Sequence, residues 1–168
     1  MTSPFPPDPA SAGKEGRGIG LCDQSQEEHF SMAQPAQASC LSAEQSRAEE
    51  IARLNDAARA GTLANSRMVF TRNLVDLLAG DADDPAVAQV RQFQNQAALL
   101  RLVRETPIDP GNDPNGERDF GVVTFLDRKI FWKVDVYEND GTFQWGAETP
   151  WDAQTSYRVV TVMLATDY

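Results

Sequence analysis

Four residues in the second half of the chain have the types and spacing for proton or charge chemistry: Glu117, Asp119, Lys133 and Asp135. Glu117 and Asp119 are two apart, so on an extended segment both carboxylates point to one face. Lys133 and Asp135 repeat that spacing. Paired carboxylates can separate their pKa values and serve as acid and base, which makes a hydrolase or transferase one expectation. The plainer expectation is an ion-pair network in which Arg118 and Lys133 hold the acids and pin a loop to a sheet. Asp109, Asp113, Glu117, Asp119 and Asp135 offer hard oxygen ligands of the kind Mg²⁺ or Ca²⁺ takes. The EF-hand spacing fails, however. Counted from Asp113, the sixth position is Arg118 and the twelfth is Thr124. Neither a metal nor a cofactor is therefore expected.

Other chemistries fail on inventory. The single histidine, His29, lies in the N-terminal segment, away from any domain that could build a triad around it. Cys22 and Cys40 lie in the same segment without metal-ligand spacing. Gly111-Asn112-Asp113-Pro114-Asn115-Gly116 lacks the lysine and following helix of a phosphate loop. A net charge of −10 opposes autonomous binding of nucleic acid, whose phosphates supply most of the affinity. It permits an acidic surface that docks on a basic partner.

The charge is unevenly placed. Residues 1–42 carry −3, 43–104 are neutral, 105–152 carry −7 and 153–168 are neutral. Solvated turns collect Asp and Asn for backbone reasons alone, but this segment also holds Trp145 and Trp151. Tryptophans exposed beside acids suit a protein-binding face; the other expectation is that they cap the end of a small core. The candidate binding surface is Asn112, Asp113, Glu117, Arg118, Asp119, Lys133, Asp135, Tyr137 and Trp145.

The elements that position these residues can be read in outline. Residues 1–42 are rich in Pro, Gly, Ser, Ala and Gln and bury too little apolar surface to offset their ordering entropy. A disordered extension is expected there, with one domain over 43–168. Residues 1–7 lack a basic segment and an apolar core, so no secretory leader is expected, and no apolar run approaches the roughly 18 residues of a membrane helix. A cytoplasmic protein is expected. Ser42 and Gln45 form a capping box before the stripe Ala48, Ile51, Leu54, Ala58, which predicts a helix over 43–60. Met68–Thr71 reads as a strand and Arg72–Gly80 as a short helix. Asp84-Pro85 is an N-cap and first-turn proline. The helix that follows carries Val87, Val90 and Phe93, then Leu99, Leu100 and Val103. Its phase slips near Asn95, so one bent helix or two are expected.

Phe120–Leu126 and Lys129–Glu138 read as a hairpin about an Asp127-Arg128 turn. Ile130, Trp132, Val134 and Val136 should face the helices, and Phe131, Lys133, Asp135 and Tyr137 solvent or a partner. After Asn139-Asp140-Gly141 a third strand is expected from Thr142 to Trp145. Val159–Ala165 is a β-branched run, read as a buried strand with a helix as the alternative. The class is α+β, with N-terminal helices packed on a C-terminal antiparallel sheet of three to four strands.

Four motifs in order carry a family resemblance: Ile51-Ala52-Arg53-Leu54-Asn55-Asp56; Asn112-Asp113-Pro114 with Gly116-Glu117 and Asp119-Phe120-Gly121; Phe131-Trp132-Lys133-Val134-Asp135 with Tyr137; and Arg158 to Ala165 with Asp167-Tyr168. Together they resemble a domain of unknown function (family 3768) over roughly residues 45–168. The resemblance implies a small bacterial accessory protein, often of plasmids and other mobile elements, and supplies no catalytic residues. Relatives carry His where this chain has Arg118 and an aromatic residue at Asn115. Loss of that His shifts the expectation from enzyme towards interaction protein. One concrete form is an acidic surface that imitates phosphate charge and inhibits a host nucleic-acid enzyme.

Overall fold

The computed structural model describes the backbone from Pro35 and the side chains from Ser42 to Tyr168. His29, Cys22, the side chain of Cys40 and most of the expected extension lie outside the described residues. Three helices, α1 (Pro35–Ala60), α2 (Arg72–Ala79) and α3 (Pro85–Glu105), accompany four strands, β1 (Ser66–Phe70), β2 (Phe120–Phe125), β3 (Arg128–Glu138) and β4 (Ser156–Leu164). The fold is α+β. The sheet order is β1-β4-β3-β2, with β4 central. β2–β3 and β3–β4 are antiparallel, whereas β1 joins β4 in parallel, so the sheet is mixed.

The helices cover one face of the sheet. Ala58, Leu74, Leu78, Leu99 and Val103 pack with Val123, Ile130, Trp132, Val134, Val160 and Val162 in one apolar core. The alternation in β3 sorts residues as expected, with Ile130, Trp132 and Val134 buried. β4 is buried along most of its length, as a central strand must be, and the strand reading of that run holds. Gly121 stands directly across from Trp132. A Cβ built there would lie 2.5 Å from the indole Cζ2, so the ring needs a glycine beneath it.

Several boundaries differ from the sequence expectation. α1 begins at Pro35, so Ser42 lies inside the helix and the capping box does not start it. The Ala-rich stretch before Ser42 has good helix propensity, and proline suits the first turn. The β2–β3 turn is Leu126-Asp127, both with positive φ, one residue earlier than expected. Positive φ at both positions is the geometry of the tightest hairpin loops. Thr142–Trp145 forms no strand. Asp140 Oδ1 accepts from the Thr142 backbone, and Phe143 has φ 55°, which breaks an extended run. Only a single bridge, Tyr137 to Gly146, remains. The fourth strand of the sheet is β1.

α3 is one continuous helix, capped by Asp84, whose carboxylate accepts from the Ala86 backbone. The slip in its apolar phase has a structural cause. Leu99 and Val103 face the core, while Val87, Val90 and Phe93 face outward. None of the described helices is long and apolar enough to cross a membrane.

Candidate functional site

The acidic corner is built by a loop that folds against the outer face and edge of the sheet. Asp109 caps the short 3-10 turn Pro110–Asn112 by accepting from the Gly111 backbone. Asp113 Oδ1 then accepts from the Arg118 backbone at 3.0 Å, closing the loop on itself. Arg118 has φ 53°, so Glu117 to Asp119 is not extended and the expected sharing of one face by alternation does not apply. The Asp119 carbonyl accepts from Val134 N at 2.7 Å, which prolongs the β2–β3 ladder by one position.

An open cleft of about 430 Å³ lies there, lined by Asn112, Asp119, Phe120, Lys133, Asp135 and Tyr168 among others. Three of the four chemistry-bearing residues are thus brought together, while Glu117 stands beside the cleft and does not line it. Tyr168, not Tyr137, supplies the aromatic wall. Its ring packs edge-on against Phe120 and Phe131 at 5.8 and 5.7 Å. Asp167 holds that end of the chain by accepting from Thr71 and Asn73. Tyr137 packs instead on Phe143. Trp145 is 70% exposed on the neighbouring loop. Trp151 lies under the Arg47 guanidinium, 4.5 Å from its centroid, and is half-buried rather than a free face.

The ion pairs match the expected network at Lys133 and depart from it at Arg118. Arg118 reaches α1, where it meets Asp56 Oδ2 at 3.0 Å; Arg59 holds the other oxygen of Asp56 at 3.0 Å. Lys133 Nζ contacts both oxygens of Asp135, at 3.0 and 2.9 Å. Among the described residues, neither Glu117 nor Asp119 has a salt bridge. Burial pushes the Glu117 carboxyl up, and the Asp119 and Asp113 charges add to it. Burial also pushes Asp119 up; its own backbone N–H opposes this, and Asp113 and Asp135 add to it. The hydrogen bond to Asp135 holds the Lys133 ammonium above its ordinary value. Among the described residues no group of His, Cys, Asp and Glu is arranged to hold a metal ion.

A second constellation, not singled out from the sequence, fixes this corner to the core. Arg158 on β4 is 0% exposed. Its guanidinium donates to Asn55 Oδ1 at 2.8 Å, to Ser156 Oγ at 2.9 Å and to the Pro150 carbonyl. Burial pulls its pKa down to about 10, so it remains a cation at neutral pH. Asn55, itself buried, donates to the Glu117 carbonyl at 2.9 Å. One hub thereby joins α1, the corner and β4. Two signals pointed to it. Asn55 falls four after Ile51 and three before Ala58, on the buried side of α1. Arg158 alternates with Val160 and Val162 on the buried side of β4. A polar residue at a core position requires a built set of partners.

A family model described as a protein of unknown function (DUF3768) matches residues 83–167. It starts just before α3 and includes the corner, the sheet from β2 onward and Arg158; the α1 motif with Asn55 precedes it. No curated protein and no solved structure matches the chain.

Proposed function

We propose a binding role for this chain, which belongs to the DUF3768 family of proteins of unknown function: the acidic corner docks on a cationic surface of a protein partner. The observation that carries this reading is the uncompensated charge around the cleft. Asp119 and Glu117 lack salt bridges among the described residues, and Arg118 is committed to Asp56. Carboxylates raised by burial and by neighbouring acids are unfavourable in the isolated domain. A guanidinium or ammonium brought by a partner relieves that repulsion, so binding gains what folding gave up. The loop is rigidly held by its capped turn and by Asn55, which suits a preorganised surface. Exposed Trp145 on the adjacent loop adds an aromatic contact of the type that anchors interfaces. A basic nucleic-acid enzyme of the host is one partner with such chemistry.

The catalytic alternative, a hydrolase or transferase using Glu117, Asp119, Lys133 and Asp135, has less support. A lysine acting as base or nucleophile needs a lowered pKa, and Asp135 moves Lys133 the other way.

An arginine-rich peptide is a suitable probe. Calorimetric titration should show binding that weakens as salt screens the contacts. The Glu117→Gln/Asp119→Asn variant should lose about tenfold or more in affinity. Absence of binding at low salt, or equal affinity in the double variant, contradicts the docking role.

A further inference from the structure

The outward face of α3 is an apolar seam with the spacing of a coiled coil, and we infer that it pairs antiparallel with α3 of a second copy of this chain. Ala86, Val90, Phe93, Ala97 and Leu100 follow one another at alternating intervals of four and three, the periodicity that keeps one stripe facing a partner helix. Phe93 is 75% exposed and Val90 58%. Val90 is nine residues from Leu99, which places the two about 180° apart around the helix. The core already takes the Leu99 side, so it does not explain the seam.

Charge selects the occupant. The chain carries −10, yet α3 has no acidic residue before Glu105, and the seam is flanked by Gln89, Gln94 and Gln96. Two copies can approach here without the repulsion their other surfaces impose. The helix is also polarised: Asp81 and Asp83 precede it, and Arg101 and Arg104 lie near its end. An antiparallel pair centred between Phe93 and Ala97 sets each Phe93 against the partner's small Ala97. It sets Val90 against Leu100, and Ala86 against Arg104. Arg104 then lies against the first turn of the partner helix, which Asp83 immediately precedes, so basic ends meet acidic ends at both extremities. A parallel pair would stack like charges instead. Neither Asp83 nor Arg104 has a salt bridge among the described residues. A shallow cleft of about 360 Å³ beside Val90, lined by Ala86, Val87, Arg91 and Gln94, offers room for a partner's side chain.

Sedimentation velocity on the full chain, over about 1 to 100 μM, tests this. A concentration-dependent dimer is expected. Phe93→Glu should weaken self-association by about a hundredfold or more, and its exposure in the single chain leaves the fold intact. Asp83→Lys and Arg104→Glu should each weaken the dimer by about tenfold, with affinity regained when both are combined. A monomer across the range, a dimer that survives Phe93→Glu, or a double reversal no tighter than the single ones would each overturn the inference. The outcome is independent of the cationic-peptide titration, because the seam and the acidic corner share no residue.

Discussion

Arg158→Ala lowers the unfolding free energy by about 4 kcal/mol, the sum expected for a cavity plus three acceptors left without their donor. The acceptors are Asn55 Oδ1, Ser156 Oγ and the Pro150 carbonyl, all served by one guanidinium. Single domains have only about 5–15 kcal/mol in hand, so the loss is a large fraction of the whole. Arg158→Lys should recover little, because an ammonium cannot reproduce the planar fork that reaches three directions. The effect also travels. Asn55 holds the Glu117 carbonyl, so freeing Asn55 loosens the acidic corner 41 positions earlier in the chain than Arg158. Urea denaturation measures the stability change through the midpoint. A cost below about 1 kcal/mol would mean that water or other groups readily replace the guanidinium, and that the hub does not hold the corner.

Gly121→Ala costs about 3 kcal/mol by overpacking. Its new methyl would meet indole atoms of Trp132 at 2.5 to 2.8 Å. That ring cannot step aside easily. It is buried, and the Arg59 guanidinium lies over it, 4.8 Å from its centroid. Arg59 is held by Asp56, which also binds Arg118. Strain at Gly121 is therefore passed to the ion pairs that anchor the corner. The melting temperature should fall by roughly 6–12 °C for a chain of this size. Gly121→Ala combined with Trp132→Phe should recover part of the loss, since the smaller ring vacates the contested space. Equal melting of wild type and Gly121→Ala would show that the ring does not occupy that position.

Local chemistry was legible in the sequence; partners distant along the chain were not. Asp84-Pro85, Gly80 and the alternation of β3 are decided within a few residues, and the structure has them as expected. The Thr142–Trp145 strand failed because a four-residue apolar pattern is weaker than the turn chemistry of Asp140 beside it. The parallel pairing of β1 with β4 joins residues about 90 positions apart, and no local signal carries it. The same holds for the site. Clustering of Asp119, Lys133 and Asp135 followed from the hairpin register, which adjacent residues determine. Arg118 was expected to bind the neighbouring acids but binds Asp56 on α1. The phase slip in α3 was visible, but the outward seam it marks required knowing which side the core takes.

On the proposed docking role, Glu117 and Asp119 are kept at a cost to the fold because their charge serves a partner. Both carboxyls are raised in the folded state, so the native protein binds their protons more tightly than the unfolded chain does. Their contribution to stability is then present below the ordinary carboxylate range and is lost as pH rises through the raised values. The decisive measurement is the unfolding free energy of wild type and Glu117→Gln/Asp119→Asn, compared from about pH 4 to pH 8. The difference between the two curves isolates these groups from the other titrating residues. The double variant should match or exceed wild type at neutral pH, with wild type losing ground to it as pH rises. A double variant that is less stable at neutral pH, by a margin that grows with pH, would make the two carboxylates favourable structural partners and contradict the claim.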